Sequence, residues 1–186
     1  MGCILPGDFE LSSAAASFPV SRAEAKLHLK IDTTDRDDDV DSFIAAATDQ
    51  VEIDTRRQLV TATWIYNLTN WEQVIQIPKC PVAPITSITY VDGAGDTQTL
   101  ATSIYQTNLN AEPATIRPAY GQTWPTNRVQ DNSIQVTFTA GYGAAADVPD
   151  LLKSAIKILV EGWFYGCEDE LSKTYDRLIS RYMWGI

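Results

Sequence analysis

The sequence predicts an α+β fold: a small helical bundle made from N- and C-terminal helices, with an antiparallel β unit inserted between them. Three observations carry this. Apolar residues recur at helical spacing before Thr61. Between residues 61 and 140 the pattern changes to short alternating runs rich in Thr, Ile, Val and Tyr, punctuated by prolines. From Leu151 to Phe164 nearly every residue is apolar, over a length that suits a helix rather than a strand.

Residues 1–19 are small, polar and without period, and read as a flexible arm. Ser21-Arg22-Ala23-Glu24 is a capping box, so a short helix is expected from there to about Lys30. A second helix follows, with Val40, Phe43, Ile44, Ala47 and Val51 on one face and Thr34 as the candidate N-cap. Asp35, Asp37, Asp38, Asp39 and Asp41 crowd its first turns, where the helix dipole favours negative charge. Arg56 and Arg57 lie at its other end, where the dipole favours positive charge.

"TATWIYNL", "VIQIP" and "ITSITYVD" open the β unit. "DGAGD" is a turn signal, with "TQTL" resuming beyond it. "SIYQTNL", "ATIRP" and "SIQVTFTAGY" complete a set of roughly six or seven short strands. Gly141 and Gly143 then let the chain turn from sheet to helix without Cβ clashes. Pro149 suits a first helical position. Lys153, Lys157 and Glu161 form a narrow polar stripe on the helix that follows, which therefore reads as buried on most sides. "GCEDE" breaks the pattern, and "LSKTYDRLISRYMWGI" gives a last, shorter helix with an apolar end at Tyr182, Met183, Trp184 and Ile186. The expected organisation is one composite domain: an arm (1–19), a helical part (20–60), the inserted β unit (61–140) and a second helical part (141–186).

Composition narrows the function. The formal net charge is −10 and the pI about 4.4. Such a chain lacks the cationic surface that grips phosphate backbones, although it can face DNA without holding it. Cys3, Cys80 and Cys167 are widely spaced and odd in number, which argues against a disulfide framework and a structural zinc site. The start lacks a basic region, so no signal peptide is expected, and no apolar run suits a membrane span.

The chemical motifs fail on inspection. Gly141-Tyr142-Gly143 completes neither a phosphate-binding loop nor a dinucleotide fingerprint, and Asp147 and Asp150 would repel a phosphate there. The acids from Asp35 fit no calcium-loop register. A histidine-dependent triad would have to use His28, which reads as a surface or boundary residue. No cofactor, metal site or catalytic residue is expected. Trp64, Trp71, Tyr90, Tyr105 and Trp124 leave one alternative open, a monomeric ligand- or glycan-binding module that uses the β unit.

The chain from about residue 20 onward resembles the head–tail connector (adaptor) proteins of tailed bacteriophages and related gene transfer agents. "VSRAEAKLHLKID" is similar to the family's opening helix, and "DDDVDSFIAAATDQVEIDTRRQLVTATW" to its second helix and first strand. "IQIPKCPVAPITSITYVDGAGDTQTL" resembles its proline-bounded strand and Asp-Gly hairpin. "FTAGYGAAADVPDLLKSAIKILVEGWFY" and "YDRLISRYMWGI" resemble its glycine joint, core helix and closing helix. The resemblance implies a non-enzymatic virion component made in the bacterial host cytoplasm. It would assemble into a ring, usually a dodecamer, below the portal. That ring would extend the DNA channel without sequence-specific binding and offer a docking surface to a tail-side stopper or tail terminator. Tyr182, Met183, Trp184 and Ile186 are then the candidate docking tip for portal or neighbour, and Asp37, Asp38, Asp39 and Asp41 the candidate channel-facing acids.

Overall fold

The computed structural model describes residues 7–183. The fold is α+β, and the chain divides into two compact units. Among the described residues, one holds residues 7–14 together with Ala62–Gly141; the other holds Ala15–Thr61 and residues 142–183.

The first unit is all β. Its strands are β1 (Gly7–Ser13), β2 (Ala62–Leu68), β3 (Ile75–Ile77), β4 (Val82–Val91), β5 (Thr97–Thr99), β6 (Tyr105–Asn108), β7 (Ala114–Pro118) and β8 (Ile134–Ala140). They form an antiparallel five-stranded sheet, β1-β2-β8-β4-β5, and a three-stranded sheet, β3-β7-β6. Strand β8 lies in the middle of the larger sheet, and its burial alternates strictly: Ile134, Val136, Phe138 and Ala140 point inward. They meet Tyr66, Leu68 and Ile88 from the same sheet and Ile75, Ile77 and Ile116 from the other, in one core. The β4–β5 turn is built on Asp92. Its carboxylate accepts from Gln98 Nε2 at 2.9 Å and from the amides of Ala94, Gly95 and Asp96 at 2.9–3.0 Å. The Gln98 bond first, then these amides, hold its pKa below the usual carboxylate range.

Strand β1 departs from the sequence expectation. Residues 1–19 read as a loose arm, but Gly7–Ser13 pairs antiparallel with β2 at the sheet edge. Phe9 stacks on Tyr66, with ring centroids 4.4 Å apart and 4° between planes. Gly7 lies where a Cβ would collide with the Asn67 carbonyl, so a residue without one allows the strand to close.

The second unit contains α1 (Arg22–Leu29), α2 (Asp37–Thr55), α3 (Asp150–Tyr165) and α4 (Glu168–Ile179). The capping box forms: Ser21 Oγ accepts from the Glu24 amide at 3.2 Å, and the Glu24 carboxylate accepts from the Ser21 amide at 2.8 Å. Thr34 is not the cap of α2. Helical geometry starts at Asp37 after Arg36, which makes no side-chain cap bond, and Thr34 contributes its carbonyl to the Asp37 amide instead. Val40, Ile44, Ala47 and Val51 from α2 pack with Leu152, Ala155, Ile156 and Val160 from α3, and Tyr175 and Ile179 from α4 close the core. Helix α3 is less covered than its composition predicts. Leu151 is 38% exposed, and Ile158, Leu159 and Trp163 are only half-buried.

Candidate functional site

Ion pairing changes the character of the acidic cluster. Asp37 and Asp41 are one helical turn apart, and both face α1. Lys26 Nζ donates to Asp37 at 2.6 Å, and Arg22 Nη1 donates to it at 3.2 Å. Arg22 also engages Asp41 through two nitrogens, with Nε at 2.7 Å from Oδ1 and Nη2 on Oδ2. Lys26 is the main reason that the Asp37 pKa falls below the usual range, and Arg22 does the same for Asp41. Asp39 is bonded by Arg36 Nε at 2.9 Å. Asp38 makes no ion pair among the described residues; its carbonyl accepts from Ser42 Oγ at 2.9 Å. Of the four candidate channel-facing acids, three are thus paired within their own unit, and Asp38 presents its charge to solvent.

The apolar end also divides. Tyr182 packs against the helical core. Its carbonyl accepts from Arg57 Nε at 3.0 Å, and the guanidinium lies 5.5 Å from its ring centroid. Met183 is 37% exposed, while Trp184 and Ile186 lie outside the described residues. Arg57 is the residue that sequence reasoning missed. It reads as a dipole-matched cation at the end of α2, yet it is buried, and Nη1 also donates to Tyr142 Oη at 3.1 Å. A basic pair after a helix carries no signal of the inward turn that Arg56 makes at φ 53°.

The glycine joint holds an acid where a nucleotide loop would hold a phosphate. Gly141 and Gly143 have φ of 131° and 129°. Asp147 Oδ2 accepts from the Ala144 amide at 2.9 Å, so a carboxylate of the chain itself takes this turn's donor. Leu59 and Thr61 bind the joint through main-chain bonds to Tyr142 and Gly143 at 3.0 and 2.9 Å. His28 Nε2 lies 2.8 Å from Glu161 Oε2, which ties α1 to α3. Among the described residues no group of His, Cys, Asp and Glu is placed to hold a metal ion, and no helix is long and apolar enough to cross a membrane.

In the β unit Trp71, Tyr90 and Trp124 are occupied with one another. Trp71 stacks on Trp124 at 4.6 Å and meets Tyr90 at 5.8 Å. Trp124 Nε1 donates to the Glu72 carbonyl at 2.6 Å, and Lys79 Nζ sits 3.9 Å from the Trp64 ring centroid. The Trp71–Trp124 stack and the Lys79 cation take up ring faces that a sugar would otherwise use.

The helical unit also has an apolar depression between α3 and α4. Ile158, Leu159, Gly162 and Trp163 of α3, with Leu171 and Tyr175 of α4, line a groove of about 160 Å³. Tyr175, one of the lining residues, donates from Oη to Asp54 Oδ2 at 2.6 Å.

No family model matches the chain, and no curated protein matches it. Solved structures do. The fold is similar to a chain in the neck of an empty gene transfer agent (GTA) particle computed with C6 symmetry, at a TM-score of 0.80 and 21% identity, covering 96% of each chain. It is similar to a chain in the virion of a native GTA particle at a TM-score of 0.77 and 22% identity, again covering 96% of each. A chain in the neck of a native GTA particle computed with C12 symmetry matches at 0.77 and 21%, with the same coverage. What is shared at these identities is the fold.

Proposed function

We propose that this chain is a structural subunit of the neck of a phage-like particle, a head–tail connector (adaptor) that forms a homo-oligomeric ring below the portal. The observation that carries the proposal is the fold likeness to neck chains over 96% of the length at a TM-score of 0.80. It covers both units, so the likeness is not that of one common module.

In this reading the ring extends the DNA channel and gives the tail-side stopper or terminator its docking surface. The net charge of −10 suits a wall that DNA slides past without adhering. Of Asp37, Asp38, Asp39 and Asp41, Asp38 contributes the most to that field, because the others are paired. The docking tip begins at Met183 and continues through Trp184 to Ile186, whereas Tyr182 is held by Arg57. Binding energy at interfaces concentrates in such aromatic and apolar anchors.

Native mass spectrometry with negative-stain imaging of the full chain, alone and mixed with its portal, tests the proposal. Closed rings, formed alone or on the portal, are expected. A chain that stays monomeric in both samples contradicts it.

A further inference from the structure

A subunit of a closed ring must present two different faces, one that enters the next copy and one that receives it. The helical unit holds a candidate of each kind. The receiving face is the α3–α4 groove. Helix α3 is apolar on most of its circumference, as helices covered on most sides are, yet Ile158, Leu159 and Trp163 stay half-exposed beside that groove. An apolar cavity of about 150 Å³ takes up a benzene-sized guest, so this one, of about 160 Å³, admits one branched aliphatic side chain.

The entering face is on α1. Leu27 is 81% exposed, and it shares its surface with Ala23 and Ile31. Helix α1 meets α3 at Glu161, through His28. Leu159 and Trp163 stand two positions before and after Glu161, roughly 200° round the helix. The Leu159–Trp163 wall of the groove therefore lies on a different side of α3 from α1, while Ile158, one turn before Glu161, lies nearer to it. Glu24 and Lys30 are exposed one turn before and after Leu27. Asp169 and Asp176 are exposed one turn either side of Ser172, which lines the groove, so the groove offers acids for Lys30 to meet.

We propose that Leu27 of one copy inserts into the α3–α4 groove of the next. This contact rests on the ring reading and names the surfaces that close the ring. The test uses the full chain with photoreactive p-benzoylphenylalanine at position 27, mixed from heavy-nitrogen-labelled and unlabelled protein and irradiated after native mass spectrometry of the same sample. The expected product joins a labelled to an unlabelled copy, with the link inside residues 158–175. Oligomers that cross-link elsewhere, or not at all, overturn this contact and leave the ring reading standing. Monomers at every concentration, alone and mixed with the portal, with no link, overturn both. Leu27→Asp gives a second readout. The side chain is exposed, so the circular dichroism of the monomer stays unchanged while self-association weakens by about tenfold or more. Undiminished association of that variant contradicts the proposal.

Discussion

Replacing Tyr66 by phenylalanine reverses the usual outcome of a core tyrosine substitution. The Tyr66 ring is fully buried, and its hydroxyl has no hydrogen-bond partner among the described residues. A buried polar group left unsatisfied costs about 1–3 kcal/mol. Tyr66→Phe removes that group and keeps the ring on Phe9 at 4.4 Å. The variant should be more stable by about 1 kcal/mol, a rise in melting temperature of about 2–4 °C for a chain of this size. Burial first, and the charge of Glu72 second, push the Tyr66 hydroxyl up from 10.0 to about 12. A pKa raised in the folded state means that the contribution is complete below about pH 10 and is lost as pH climbs toward about 12. The phenylalanine variant should therefore also lose stability less steeply in alkali. Urea titrations of both proteins at neutral pH and above pH 10 measure both effects. A loss of about 1 kcal/mol at neutral pH would mean that the hydroxyl is bonded in solution, and the reasoning would be refuted.

Two further outcomes follow from the helical unit. Asp37 and Asp41 have lowered pKa values through Lys26 and Arg22, so the tie between α1 and α2 is complete at neutral pH and is lost as pH falls through those lowered values. Hydrogen exchange should show α1 amides opening in acid, and Arg22→Gln should remove part of that pH dependence; identical acid profiles would contradict the pairing. Gly143→Ala should destabilise by about 1–3 kcal/mol in urea, because the residue has φ 129° and an added Cβ would stand 2.5 Å from Asp147 Oδ2. A neutral result would show that the joint has room to relax.

Sequence pattern revealed most where a signal is local. The Ser21–Glu24 box, the alternation of β8 and the glycine joint each lie within a few residues, and each forms. Long-range partners were invisible. The acids after Asp35 look like free charge until Arg22 and Lys26 fold against them from another helix. Trp71 and Trp124 could line a sugar site by sequence, although core or interface aromatics are commoner, and the structure has them stacked on each other. Strand β1 was missed because its alternation is short: only Phe9 and Leu11 stand among Asp8, Glu10 and serines, and its pairing depends on β2, far along the chain. The apolar circumference of α3 was legible, but the chain covers only part of it, and the proposal assigns the rest to a neighbouring copy.

A density map of the neck in particles made with this chain tests the central claim most directly. The account predicts a closed ring of copies between portal and tail, with the α3–α4 groove of each filled by α1 of the next. A neck built without this chain, or this chain bound elsewhere on the particle as isolated monomers, would contradict it.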